Sequence, residues 1–183
     1  MRGVRLLALL VALLVVGAVV LVLVERPELR DDRAAVDHRW TALRAPLQAR
    51  YEKLAAAFDA FTFAGGADRS VAKDLRPALD RWDRLRRASD ANADAAAEAA
   101  TANRLEGLGA RLRADILASD RLRAVTQLGD AITTYTGTTP PAAAVTAYRA
   151  AVDRYERARN ATLRKPVAFV FGYDERPVLV IVS

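Results

Sequence analysis

His38 is the only histidine of the chain, and there is no cysteine. A Ser–His–Asp relay would have to be built on His38 alone, and a thiolate zinc site cannot be built at all. The Glu-x-x-His repeats that hold two metals inside a helical bundle lack the histidines to complete them. His38 stands between Asp37 and Arg39, so a solvated surface position outweighs a pH-sensing role. Carboxylates are plentiful, and pairs such as Asp80 with Asp83, or Asp115 with Asp120, are the candidates for a general acid and base. Arg81, Arg84, Arg113 and Arg121 border them, which makes an ion-paired helix surface the stronger reading. Gly65-Gly66 and otherwise scattered glycines offer no phosphate-cradling loop. The inventory excludes most catalysis: we expect no enzyme, no catalytic residue, no cofactor and no metal ligand.

Charge and aromatic residues carry the remaining signals. Lys and Arg together number 28 against 22 acids, for a net charge of +6. No basic cluster alternates with exposed aromatics as a nucleic-acid groove requires, so no nucleic-acid partner is expected. The clusters Arg84, Arg86, Arg87 and Arg154, Arg157, Arg159 suit anionic lipid or envelope polymer instead. Phe169 to Tyr173, followed by Arg176-Pro177, is expected to fold back as a cap over one end of the fold. A partner-binding surface is the alternative there, because aromatics beside arginine are a common hot-spot composition.

These residues need elements to hold them, and the first is unmistakable. Leu6 to Val24 is an unbroken apolar run preceded by Arg2 and Arg5. At ~1.5 Å per residue such a run covers a bilayer core of ~30 Å. It is longer than a signal-peptide core and ends without a small-x-small site, so residues 1–25 read as an uncleaved anchor with the bilayer as partner of residues 6–24. Arg2 and Arg5 favour an inside N-terminus and hence an extracytoplasmic domain; Arg26, Arg30 and Arg33 pull the other way.

Everything after the anchor reads as helix. Val36, Trp40, Leu43, Leu47, Leu54, Phe58 and Phe61 step by three and four, with Tyr51 partly filling one longer gap. This stripe faces inward, leaving Arg39, Arg44, Arg50 and Lys53 mostly on other faces. Pro46 should kink or restart this helix without ending it. Gly65-Gly66 breaks it, and Asp68 or Ser70 is placed to cap the next. Val71, Leu75, Ala78, Trp82 and Leu85 form the second stripe, with Pro77 inside it. A turn near Ser89–Asn92 leads to a third, alanine-rich helix whose stripe is Leu105, Leu108, Leu112 and Ile116. Ser119-Asp120 is a break and cap before Leu122, Val125, Leu128, Ile132 and Tyr135. Thr136 to Pro141 is a strong turn signal, and the last helix, about Ala142 to Leu163, ends at Lys165-Pro166. Val178 to Val182 is the only strand-like stretch. Trp40 and Trp82 are expected as packing anchors facing each other across two helices. The fold class is therefore all-α: an N-terminal transmembrane helix followed by a long antiparallel four-helix-type bundle with room for one broken helix. The parts are the anchor 1–25, a bundle domain 26–165 and an apolar tail 166–183.

The C-terminal third resembles the LemA family, grouped with the magnetosome protein MamQ. The residues that carry the resemblance are Tyr148, Val152 and Tyr155 on the last helix, then Phe171-Gly172-Tyr173, then Arg176-Pro177. Val36-Asp37, Trp40, Leu43, Leu47 and Arg50-Tyr51-Glu52 agree more loosely with the family's N-terminal half. The chain departs from the family at Lys53-Leu54-Ala55-Ala56, where an Ile-Pro-Asn-Leu element is usual, and at Tyr148-Arg149-Ala150, where a Tyr-Asn-Asp triplet is usual. The resemblance implies a membrane-anchored antiparallel helical bundle without a settled biochemical role. It makes Tyr148, Tyr155, Phe171, Gly172, Tyr173, Arg176 and Pro177 the candidate partner-binding or family-motif residues. The expected function is a single-pass cell-membrane scaffold or adaptor for another membrane or envelope protein. A sensory or ligand-binding bundle is the alternative, which the apolar stripes disfavour by leaving little room for a polar pocket.

Overall fold

The computed structural model of the chain describes residues 2–88, 94–162 and 164–182, with side chains from Glu25 onward. The fold is all-α, and no strand occurs among the described residues. Helix α1 (Arg2–Phe61) ends in a π-helical turn (Thr62–Gly66) and is followed by α2 (Ser70–Arg87), α3 (Ala95–Leu117) and α4 (Asp120–Arg123). Then come α5 (Thr126–Gly137), α6 (Ala142–Asn160) and α7 (Lys165–Val170), after which residues 174–182 carry no regular structure. Helix α1 continues through Pro27 and Pro46. Among the described residues no helix is long and apolar enough to cross a membrane. The expected anchor, residues 6–24, falls in the part of α1 whose side chains are not described, and the expected turn at Ser89–Asn92 lies outside the described residues.

Several local expectations are corrected. Arg69, not Asp68 or Ser70, occupies the N-cap of α2, with no side-chain cap. Asp94 does cap α3, accepting from the backbone N–H groups of Ala96 and Ala97 at 3.0 Å each. Ser119 precedes α4 without capping it. The last long helix stops at Asn160, and Pro166 begins α7 where it was expected to end a helix; the first turn tolerates a residue without an N–H. Val178 to Val182 forms no strand.

The chain packs as two compact units, Met1–His38 with Ala150–Arg176, and Arg39–Arg149 with Pro177–Ser183.

In the second unit, α2 lies antiparallel to α1. The Tyr51 and Trp82 rings meet edge-on at 4.9 Å, Trp82 Nε1 donates to Gln48 at 2.8 Å, and Arg76 covers Phe58 at 4.8 Å. Helix α3 reverses again, with Arg86 facing Glu98 at 3.5 Å and Arg111 bonded to Asp74 at 3.0 Å. Trp40 packs on Tyr148 of α6 at 5.1 Å. Each tryptophan thus pairs with a tyrosine instead of with the other tryptophan. Leu43, Leu47, Leu54, Leu75, Leu105 and Leu112 are wholly buried on the expected stripes, each contributing on the order of 1.5–3 kcal/mol. Gly109 matters for packing: a Cβ there would stand 2.3 Å from the Tyr135 hydroxyl.

In the first unit, Leu29, Val36, Val152, Tyr155 and Val167 form the core.

Candidate functional site

The most concentrated polar chemistry lies inside the second unit, at positions the stripe of α1 places inward. Arg50 is three residues after Leu47 and four before Leu54, so it sits on the apolar face and is fully buried; the expectation that it points elsewhere is corrected. Its Nε donates to Glu106 Oε1 at 2.7 Å and its Nη2 to Glu106 Oε2 at 2.8 Å. Nη1 donates to the carbonyls of Thr138 at 2.7 Å and Tyr135 at 3.2 Å, and Nη2 to that of Val182 at 2.9 Å. The guanidinium also lies 4.4 Å over the Tyr135 ring. One side chain thereby ties α1 to α3, to the end of α5 and to the C-terminal segment. A fork of five donors is the group that can do this, since lysine would supply a point charge.

The electrostatics follow from burial. Desolvation opposes the Arg50 charge, but the hydrogen bond to Glu106, with the neighbouring Tyr135 and Glu106, outweighs it and holds Arg50 above its ordinary range. Burial, reinforced by the Glu106 carboxylate, pushes the Tyr135 hydroxyl up to about 12 and raises Tyr51 further. Neither phenol is poised to move a proton near neutral pH. Tyr51 Oη donates to the carbonyl of Ala102 at 3.2 Å.

A second buried carboxylate, Glu98, heads the α3 stripe. It accepts from Trp40 Nε1 and from Arg44 Nε at 2.9 Å, with Arg86 across from its other oxygen. The cluster Arg84, Arg86, Arg87 is therefore not wholly available to a lipid: Arg86 turns toward Glu98. Arg159 of the other cluster is likewise engaged, by Glu156 at 2.9 Å and Glu175 at 2.8 Å.

The C-terminal segment is held mainly through its backbone. Tyr148 Oη donates to the carbonyl of Pro177 at 2.8 Å, and Arg149 Nε to that of Leu179 at 2.8 Å. Asn103 reads two residues at once, its Nδ2 donating to Val178 O and its Oδ1 accepting from Val180 N, each at 2.8 Å. Val182 N donates to Glu106 Oε2 at 3.0 Å. Leu179 alone among 178–182 is fully buried, while Val178, Val180 and Val182 are exposed. Beside Val182 is a cavity of ≈ 180 Å³ lined by Gly109, Ala110, Arg113, Leu117 and Tyr135.

The remaining motif residues cluster in the first unit. Tyr155 is buried and its Oη donates to Asp174 O at 2.8 Å. Gly172 has φ +64, the left-handed turn that glycine allows, and its carbonyl accepts from Arg33 Nη1 at 3.4 Å. Tyr173 is buried, with Arg33 5.9 Å over its ring. Arg176 reaches Asp37 at 3.1 Å, and its own N–H donates to Glu156 at 2.8 Å. Phe171 is exposed, under Arg26 at 4.5 Å. Tyr148, Tyr155, Tyr173 and Arg176 therefore act as packing and strapping groups, and Phe171 is the member left facing outward. Pro177 contributes its carbonyl.

His38 is exposed, and no group of three metal-ligating side chains occurs among the described residues. Sequence reasoning missed Glu98, Asn103 and Glu106. The signal for the two acids was their phase, since Glu98, Ala102, Leu105 and Leu112 fall on one face; Asn103 carries no such signal. Comparison with family models, curated proteins and solved structures returns no match.

Proposed function

We propose that the chain is a non-enzymatic, single-pass membrane scaffold or adaptor of the LemA type, its helices forming an antiparallel four-helix-type bundle outside the cytoplasm. The observation that carries this reading is α1, one unbroken helix from Arg2 to Phe61. The sequence of that helix contains both the apolar run 6–24 and the core residues Trp40, Leu47 and Leu54. The buried charges support the same reading, because Arg50 and Glu106 bond each other twice and Glu98 faces Arg44 and Arg86, all within the fold, an arrangement that specifies packing. Chemical crosslinking in native membranes followed by affinity isolation should recover one defined membrane or envelope protein. A reporter fused after Ser183 should be active only outside the cytoplasm. Repeated isolation of the chain alone would refute the adaptor role.

The cavity beside Val182 favours a second reading, a ligand-sensing bundle. A small ligand held there would contact the Tyr135 ring and the C-terminal segment together. A thermal-shift screen that yields no stabilising compound would remove that alternative.

A further inference from the structure

Helix α7 and the residue that follows it carry an exposed apolar surface. Val167 and Ala168 face inward, but Phe169 is 89% exposed, Val170 72% and Phe171 37%. Scattered exposed apolar residues need no explanation; three consecutive ones, two of them phenylalanines, mark a surface that meets something apolar.

The position of this patch along α1 says what that is. Arg164, at the start of α7, bonds Glu25 and Glu28; Phe171 lies under Arg26. Gly172 and Tyr173 then meet Arg33, and Arg176 meets Asp37. The C-terminal chain thus climbs α1 in register, from residue 25 to residue 37, and α7 is its lowest part. Glu25 is the residue directly after Val24, the last of the apolar run. At ~1.5 Å per residue, the patch stands within about one helical turn of that run.

We propose that Phe169, Val170 and Phe171 form a second membrane contact, seated in the headgroup and upper acyl region of the bilayer beside the tether. This rests on the reading of 6–24 as a membrane anchor. The occupant is lipid and not a further protein because the patch adjoins the one segment of α1 built for hydrocarbon. The surrounding charges, Glu25, Arg26, Glu28, Arg164 and Lys165, nearly offset one another, so the attachment is apolar and survives high salt. The Arg26 guanidinium, 4.5 Å over the Phe171 ring, sits at the level where such amphipathic side chains meet the polar boundary of a bilayer. A tether with this second contact fixes the rotation of α1 about its own axis, which a lone span leaves free.

The absence of cysteine makes the test direct. The full chain is reconstituted in vesicles of phosphatidylcholine and phosphatidylglycerol with single cysteines carrying an environment-sensitive fluorophore. The sites are Val15→Cys in the apolar run, Val170→Cys in the patch and Ala35→Cys on exposed α1. Nitroxide lipids report depth, and Phe169→Cys serves as a second patch site should Val170→Cys lose helix content by circular dichroism. The expected result is strong quenching at 170 by a shallow nitroxide, at 15 by a deep one, and none at 35, unchanged in high salt. Quenching at 15 with 170 behaving like 35 overturns the second contact and leaves the tether intact. No quenching at 15 overturns the tether and the contact together. A label at 170 that is shielded from iodide but not quenched by any lipid nitroxide identifies a second copy as the cover, and also overturns the proposal.

Discussion

Arg50 and Arg164 perform the same task in different surroundings. Each joins a late part of the chain to α1 or to a helix beside it through carboxylates, Arg50 to Glu106 and Arg164 to Glu25 and Glu28. Arg50 and Glu106 are sealed, at 0% and 1% side-chain exposure, whereas Arg164 is 24% and Glu28 58% exposed. A sealed pair has lost its hydration and depends on every hydrogen bond it makes; a wet pair can trade its partner for water. The region around Arg50 is therefore a lock, and the region around Arg164 a latch that can open locally.

The largest effect should come from breaking the lock on one side. Arg50→Met leaves the Glu106 carboxylate buried without its cation, and Glu106→Leu leaves the guanidinium with its carbonyl acceptors but no counter-charge. Each should cost about 3–5 kcal/mol in denaturant unfolding of the detergent-solubilised chain. The double variant should be much less destabilised than the sum of the two, since no lone charge remains. It will not regain full stability, because Thr138 O and Val182 O also lose their donor. Strict additivity would mean that the pair does not act as a unit.

The next effect tests the same interior through Tyr135. Its pKa rises from about 10 unfolded to about 12 folded, so the folded state resists losing this proton. Below pH 10 both states are protonated and the stability is fully present. Between 10 and 12 the unfolded chain ionises first, and stability falls as pH rises, by up to about 3 kcal/mol. Tyr135→Phe should flatten part of that alkaline slope, the remainder including Tyr51 and Tyr155, which burial also raises. A slope identical in the variant would place the Tyr135 hydroxyl in water.

The contrast between lock and latch also separates what the sequence disclosed from what it hid. The stripes located the helices and their inward faces, because Leu43, Leu47, Leu54, Leu75, Leu105 and Leu112 obey a geometric period that burial enforces. Arg50, Glu98 and Glu106 stand on the same faces, but charge argued for solvent, and only the three-dimensional proximity of 50 to 106 and of 44 to 98 resolves that conflict. Their phase was legible; their partners were not. Irregular backbone bonded by Asn103 and Tyr148 has no period at all, so the strapping of 177–182 left no trace in composition. Pro166 was ambiguous for a local reason, since proline stops one helix and starts another equally well.

Asn103 should show an intermediate effect. Asn103→Ala removes two hydrogen bonds to the C-terminal segment without leaving a buried charge, a loss of about 1–2 kcal/mol. The cost should fall on the segment more than on the helices. Amide exchange at Val180 and Val182 should accelerate, with protection in α3 and α1 unchanged. Equal acceleration throughout the second unit would show that the segment and the helices open as one body.

Arg164→Ala should have the smallest effect, below about 1 kcal/mol, and that loss should shrink further in high salt. The hydrogen bond to Glu25 is the main reason Arg164 is held above its ordinary pKa range, yet a guanidinium is charged at any accessible pH with or without it. The variant therefore moves no titration near neutrality, and the observable is local: faster amide exchange in 165–170 at unchanged global stability. If Arg164→Ala instead cost as much as Arg50→Met, exposure would not govern the worth of these pairs. The distinction between a sealed lock and a solvated latch would then fail.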